Sequence, residues 1–198
     1  MESTGSSKAV GYSKVWNLPN ILTYARIAAV PAVAGLILWG GHPARWAALA
    51  IYVLAAISDF LDGWLARRWK QQSSLGRMLD PIADKVLVAV VVLVLCADDI
   101  LRGGHIWAAI IILSREVLVS GLREYLGELQ VSVPVTQIAK WKTTVQLLAI
   151  GFLIAGPAGD TVIPHTTTIG IAMLWVAAGL TLYTGYDYFR AGIRHVVD

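Results

Sequence analysis

Apolar residues in this chain come in long runs separated by short polar stretches, a pattern that predicts helices spanning a bilayer rather than alternating strands. The runs cover roughly Ile21–Trp39, Ala44–Leu65, Leu79–Cys96, Ile106–Leu126, Ile138–Ala155 and Thr168–Phe189. Each is close to the roughly 20 residues that cross a hydrocarbon core at about 1.5 Å per residue. The expected breaks are Gly40-Gly41-His42-Pro43, the polar stretch Arg67–Arg77, Asp98–Gly104, Gly127–Pro134 and Gly156–His165. Pro19 marks a break or a helix start ahead of the first run. Residues 1–13 are polar and small, with no apolar core for a signal peptide, and are read as a disordered cytoplasmic tail. Nothing marks a repeat or a second domain, so residues 14–198 are expected to form one membrane-embedded domain. The fold expected is an all-α polytopic membrane protein with six transmembrane helices.

Composition agrees. Of 198 residues, 57% are hydrophobic and only 15% charged, against about a quarter charged in soluble domains. A disordered chain is excluded and a water-soluble globule is disfavoured. The net charge of +3 is too mild to argue for nucleic acid. Cys96 is the single cysteine, so no intrachain disulfide can form. Eight Trp and seven Tyr suit membrane-interface belts, and core packing explains them equally well. The distribution of basic residues says more than their sum. Lys8 and Lys14 precede the first run, Arg67, Arg68, Lys70 and Arg77 lie around the second loop, Lys140 and Lys142 flank the fourth, and Arg190 and Arg194 follow the last run. The opposite loops hold only Arg45 and Arg102. The positive-inside rule then puts both termini and the second and fourth loops in the cytoplasm.

The informative stretch is SDFLDGWLARRWKQQSSLGRMLDPIADK, Ser58 to Lys85. It places Asp59 and Asp62 on one face near the end of the second span, at i,i+3. Asp80 and Asp84 share a face near the start of the third, at i,i+4. The two helices are consecutive and antiparallel, so their acidic faces can meet at one depth. A carboxylate at the centre of a span costs roughly 2.5–3.5 kcal/mol, less near the interface, so these acids need partners. Ion pairs with Arg67, Arg77 and Lys85 are one solution, although those bases are also available for phosphate. The other solution is divalent metal, because all-oxygen ligands select hard cations such as Mg²⁺ or Mn²⁺ and four carboxylates suit a pair of ions. Gly63, Ala66 and Gly76 flank the acids; they leave room for a bulky group beside them, or serve ordinary small-residue helix packing.

The residues Asp59-x2-Asp62-Gly63-x2-Ala66-Arg67-x8-Gly76-x3-Asp80-x3-Asp84 match the complete signature of the CDP-alcohol phosphotransferase family, which this chain resembles. The resemblance implies an integral membrane enzyme that displaces CMP from a CDP-linked lipid using divalent metal, and the location expected is a bacterial inner membrane. It implies a homodimer with a six-helix core and an active site open to the cytoplasm. By this likeness Asp59, Asp62 and Asp80 hold the metals. Asp84 is the base that accepts the proton of the attacking hydroxyl, and also touches a metal. Gly63, Ala66, Arg67 and Gly76 line the CDP-lipid site, Ser73 adds a hydroxyl, and Asn20 and Thr23 reach the nucleotide from the first helix.

A second polar group lies in the fourth and fifth runs. SREVLVSGLREYL places Arg115 and Arg123 eight positions apart, facing the same way about 12 Å along the axis, with Glu116 and Glu124 beside them. Lys140 and Lys142 open the fifth run. Four cations near one depth can receive a phosphate; interhelical ion pairing with the two glutamates is the alternative. SREVLVSGLRE followed by K-x-K-T-T resembles the phosphatidylglycerophosphate synthases of the family, which implies sn-glycerol 3-phosphate as acceptor and CDP-diacylglycerol as donor. Likeness runs over most of residues 16–150, and the last run contributes little to it.

Rival readings are a cardiolipin synthase or phosphatidylinositol-phosphate synthase of the same family, a prenyltransferase with paired aspartate motifs, and a cation transporter. Transport is disfavoured because the acids sit at helix ends and no paired broken helices are evident. His42, His105, His165 and His195 read as solvent-facing, and Asp98, Asp99 and Asp160 as solvated loop charges. Arg26 either snorkels to the interface or joins the phosphate site.

Overall fold

A computed structural model describes residues 18–69, 74–131 and 137–193, with the side chains of residues 19, 60–69, 74, 75, 77 and 191–193 outside that description. The tail expected over 1–13 lies outside the described residues. Among the described residues there is no strand. The helices are α1 (Leu18–Trp39), α2 (His42–Trp69), α3 (Ser74–Ala97), α4 (Ile106–Glu128), α5 (Gln137–Asp160) and α6 (Thr166–Ile193), with a 3-10 turn at Gly103–His105 leading into α4.

All six expected helices are present, and most extend past their apolar runs. Hydropathy marks the slab that the side chains face, whereas backbone hydrogen bonding continues into polar sequence. The α1–α2 connection is the tightest turn. Gly40 and Gly41 have φ of +78° and +84°, the left-handed region that only glycine enters without strain. The Gly40 N–H donates to the Ile37 carbonyl at 3.1 Å, closing the end of α1.

Helix α1 packs along α2 and α3, α5 along α6 and α2, and α4 against α6. Every helix contributes to the core, for instance through Val33, Tyr52, Leu95, Ile112, Leu153 and Leu174, each at most 2% exposed. The outward faces are just as apolar: Leu54, Leu93, Val117 and Val176 are more than half exposed. Such a surface suits lipid and not water. The stretches Asn20–Trp39, Gly103–Glu128, Gln137–Asp160 and Thr166–Arg190 are long and apolar enough to cross a bilayer. Helices α2 and α3, of 28 and 24 residues, have the length and carry the acidic motif at adjoining ends. The protein is an all-α, integral membrane protein.

At the end of the bundle away from that motif, α5 breaks. Gly156 has φ +43° and Pro157 follows it, removing an N–H and crowding the turn before it. Arg45, only 6% exposed, fills the gap. Its NH1 donates to the Ile154 carbonyl at 3.1 Å, and its NH2 forms an ion pair with Asp98. Arg45 and Asp98 are therefore not solvated loop charges but a partly buried clamp joining α2, α5 and the end of α3. His105 is likewise engaged, its Nδ1 accepting from Trp175 Nε1 at 3.2 Å. Asp160 is exposed as expected, and also caps α6 by accepting from the Thr167 N–H at 3.0 Å and its hydroxyl at 2.6 Å.

Candidate active site

The start of α1, the end of α2 and the start of α3 meet at the acidic end of the bundle. One face of α1 is buried throughout its length: Asn20, Thr23 and Arg26 at this end, then Val30, Val33 and Ile37. The spacing is close to one turn, so a single stripe changes from polar to apolar along the helix. Its polar part meets the carboxylates. Thr23 Oγ1 donates to Asp80 Oδ1 at 2.6 Å. Arg26 NH1 lies 2.6 Å from Asp59 Oδ1, the guanidinium buried and the carboxylate 46% exposed. Helix α1 thus joins the acids of α2 to those of α3. Gly76, one turn before Asp80, is buried, as a close approach at that position requires.

Asp84 lies one turn beyond Asp80 and occupies a junction. The charges of Asp59, Arg26, Glu116 and Lys85 all act on it. Lys85 Nζ donates to the Pro81 carbonyl at 3.1 Å, along the same helix. On its far side Asp84 lines a cavity of about 930 Å³ between α3, α4, α5 and α6. Arg115, Arg123, Lys140 and Lys142 all line that cavity, so the two polar groups of the sequence share one site.

Within the cavity wall, Lys142 forms an ion pair with Glu116 across α4 and α5, and Arg115 NH1 lies 3.6 Å from the same Glu116 Oε1. Interhelical ion pairing therefore accounts for Lys142, only 4% exposed. Both arginines also reach α6. Arg115 NH2 donates to Thr184 Oγ1 at 3.1 Å, and Arg123 NH2 donates to Tyr188 Oη at 2.9 Å. Sequence reasoning missed this contribution from the last helix, and it left Arg26 undecided. The signal for Arg26 was its place one turn from Thr23 on the Asn20 face. For Tyr188 no local signal exists, because its partners are on another helix.

The side chains of Asp62, Gly63, Ala66 and Arg67 lie outside the described residues, as does Ser73. Among the described residues no three acidic, histidine or cysteine side chains are grouped to hold a metal ion. The ligand chemistry nonetheless fits one: the motif offers carboxylate oxygens only, the donors that hard divalent cations take. The Arg26–Asp59 contact shows a carboxylate of this cleft holding a positive partner.

The family model for CDP-alcohol phosphatidyltransferase matches residues 16–183. A protein of Cereibacter sphaeroides named CDP-diacylglycerol–glycerol-3-phosphate 3-phosphatidyltransferase is 39% identical, over 92% of this chain and 98% of that protein. One of the same name from Rickettsia bellii is 45% identical, over 88% of this chain and 94% of its own length. An Arabidopsis thaliana relative, carrying that name with the suffix 2, is 36% identical over 90% of this chain. The match of the family model takes in the acidic motif, the cavity walls from α3, α4 and α5, and α6 as far as Tyr183. This chain belongs to the CDP-alcohol phosphatidyltransferase family.

Proposed function

We propose that this chain transfers the phosphatidyl group of CDP-diacylglycerol to sn-glycerol 3-phosphate, giving phosphatidylglycerol phosphate and CMP. The observation that carries the choice of acceptor is the charge of the cavity beside Asp84. Its wall holds Lys85, Arg115, Arg123, Lys140 and Lys142 against Asp84, Glu116 and Glu124, an excess of two positive charges when all are ionised. A phosphomonoester carries about −1.5 to −2 at neutral pH, so such an acceptor balances the cavity; a neutral alcohol does not.

In the reaction, the acceptor hydroxyl oxygen bonds to the phosphatidyl phosphorus as the bond from that phosphorus to the bridging oxygen breaks. CMP departs with the bridging oxygen, and the hydroxyl proton passes to Asp84. Arg115, Arg123, Lys140 and Lys142 bind and orient the acceptor phosphate, and so direct the hydroxyl toward the donor. Asn20, Thr23, Gly63, Ala66, Arg67, Ser73 and Gly76 form the CDP-lipid site, where Arg67 pairs with phosphate. Enzymes of this family generally depend on divalent metal. Here Asp59, Asp62, Asp80 and Asp84 would hold it, as two Mg²⁺ or Mn²⁺ ions supplying charge neutralisation at the pyrophosphate. Thr23 orients Asp80, and Arg26 holds Asp59 in place. Residues 14–198 act as one catalytic domain within a homodimer. We place it in a bacterial inner membrane, and the distribution of Lys and Arg supports an orientation with both termini and the active site cytoplasmic.

The test is CMP release from CDP-diacylglycerol by the purified protein, with Mg²⁺ or Mn²⁺, offered glycerol 3-phosphate, phosphatidylglycerol or inositol phosphate in turn. Release that needs both metal and glycerol 3-phosphate supports the reading. Release with only one of the other acceptors overturns the choice of acceptor and keeps the reaction class.

A further inference from the structure

We propose that the last helix completes the acceptor site, with Tyr188 as the positioning residue that sets the spacing and aim of Arg115 and Arg123 for the acceptor phosphate. The inference rests on the phosphomonoester reading above. Two arginines a little over two turns apart on α4 share a face, but their long side chains have many rotamers, and a phosphate needs them converged. Tyr188 brings them together. It is 4% exposed, its hydroxyl accepts from Arg123, and its ring centroid lies 5.9 Å from the Arg115 guanidinium carbon and 5.4 Å from that of Arg123. Both are within the range of cation–π attraction. One turn earlier Thr184 takes the other side of Arg115. Gly185 leaves the space for that arginine, since a Cβ there would fall 3.1 Å from Arg115 Cγ.

The chemistry of the holding group matters as much as its geometry. A carboxylate partner fixes a cation and cancels its charge; Glu116 does so for Lys142 and, at 3.6 Å, is shared with Arg115. A phenol and a threonine hydroxyl fix it and leave the charge for an incoming anion. Tyr188 itself lines the cavity, on the same wall as both arginines. Helix α6 thereby adds orientation without further neutralisation: one glutamate is shared between Lys142 and Arg115, and Arg123 is held by the Tyr188 hydroxyl.

The test uses the full chain in detergent, with Tyr188→Phe and Tyr188→Leu. Tyr188→Phe keeps the ring and loses the hydroxyl bond to a charged group, so the KM for glycerol 3-phosphate is expected to rise about tenfold. Tyr188→Leu loses the ring as well, for a rise of about thirtyfold. In both, the KM for CDP-diacylglycerol stays within about twofold and kcat falls by less than the acceptor KM rises, the pattern of weakened acceptor binding. The increase in Tm produced by inorganic phosphate, which reads the anion site without turnover, should shrink in the same order. An unchanged acceptor KM and phosphate response in Tyr188→Phe overturns the proposal, as does a joint rise of both KM values. If Tyr188→Leu does not fold, Tyr188→Phe decides alone. If the wild type turns over no glycerol 3-phosphate, the acceptor reading fails, and the phosphate response in Tyr188→Phe still decides the role of Tyr188.

Discussion

Asp84→Asn is expected to slow CMP release by about 10²–10⁴-fold, the range for loss of a positioned general base, while the protein remains folded. Asp59 is engaged by Arg26 and Asp80 by Thr23, both on the α1 side of the acidic cleft. Among the acids of that motif with described side chains, Asp84 is the one that reaches the cavity lined by Arg115, Arg123, Lys140 and Lys142. A hydroxyl bound there has Asp84 as the adjacent proton acceptor. Asparagine keeps the volume and removes that capacity, together with one negative charge at the proposed metal site. The rate is measured at saturating donor and acceptor, beside a thermal unfolding curve for the same preparation. A variant that releases CMP at close to the wild-type rate would show that the base lies elsewhere.

The second large effect is expected at the opposite end of the bundle. Arg45→Ala should lower stability by about 3 kcal/mol, the scale on which removing one partner of a buried ion pair destabilises a fold. Two groups lose their partner at once: Asp98, whose side chain is 24% exposed, and the Ile154 carbonyl beside the break in α5. Gly156 adds to the constraint, because a Cβ there would fall 2.9 Å from Arg45 NH1 on a backbone already at φ +43°. Unfolding by SDS titration reads the loss. The double variant Arg45→Met/Asp98→Leu, which removes both charges and keeps volume, should recover part of it. Equal stability of wild type and Arg45→Ala would mean that the clamp is decorative. Because the clamp is remote from Asp84, the KM values of folded Arg45→Ala should match the wild type.

Much of this was legible in the sequence, and the exceptions share a cause. The six runs located the helices because apolar length is a local property. The acidic motif was legible because its spacing lies on two consecutive helices, and the cationic face of α4 because i,i+8 keeps a face. Helix ends were less so: α2 continues to Trp69 and α6 to Ile193, through residues whose polarity says only that water or headgroups are near. Arg45 and Asp98 read as loop charges for the same reason, each lying at the edge of an apolar run. The partnership of Arg123 with Tyr188 joins positions far apart in sequence, and a tyrosine near the end of an apolar run looks like an interface anchor. Contacts between distant helices follow from packing, which hydropathy does not encode.

The polar stripe of α1 has a consequence for biogenesis. In synthesis this helix leaves the ribosome before α2, so Arg26 reaches the bilayer ahead of Asp59, the acid that it meets in the finished protein. A lone arginine costs roughly 2.5–3.5 kcal/mol at the centre of a span and less near its edge, and Arg26, the ninth of the 22 residues of α1, has a side chain long enough to snorkel toward the headgroups. The first helix can therefore enter with its cation held at the headgroups, and it gains its full burial only when the second arrives with the counter-charge. Asp59 would then serve twice, in the proposed site and earlier as the counter-charge that the first span meets. Losing it would reduce the amount of enzyme assembled as well as the rate at which each copy works.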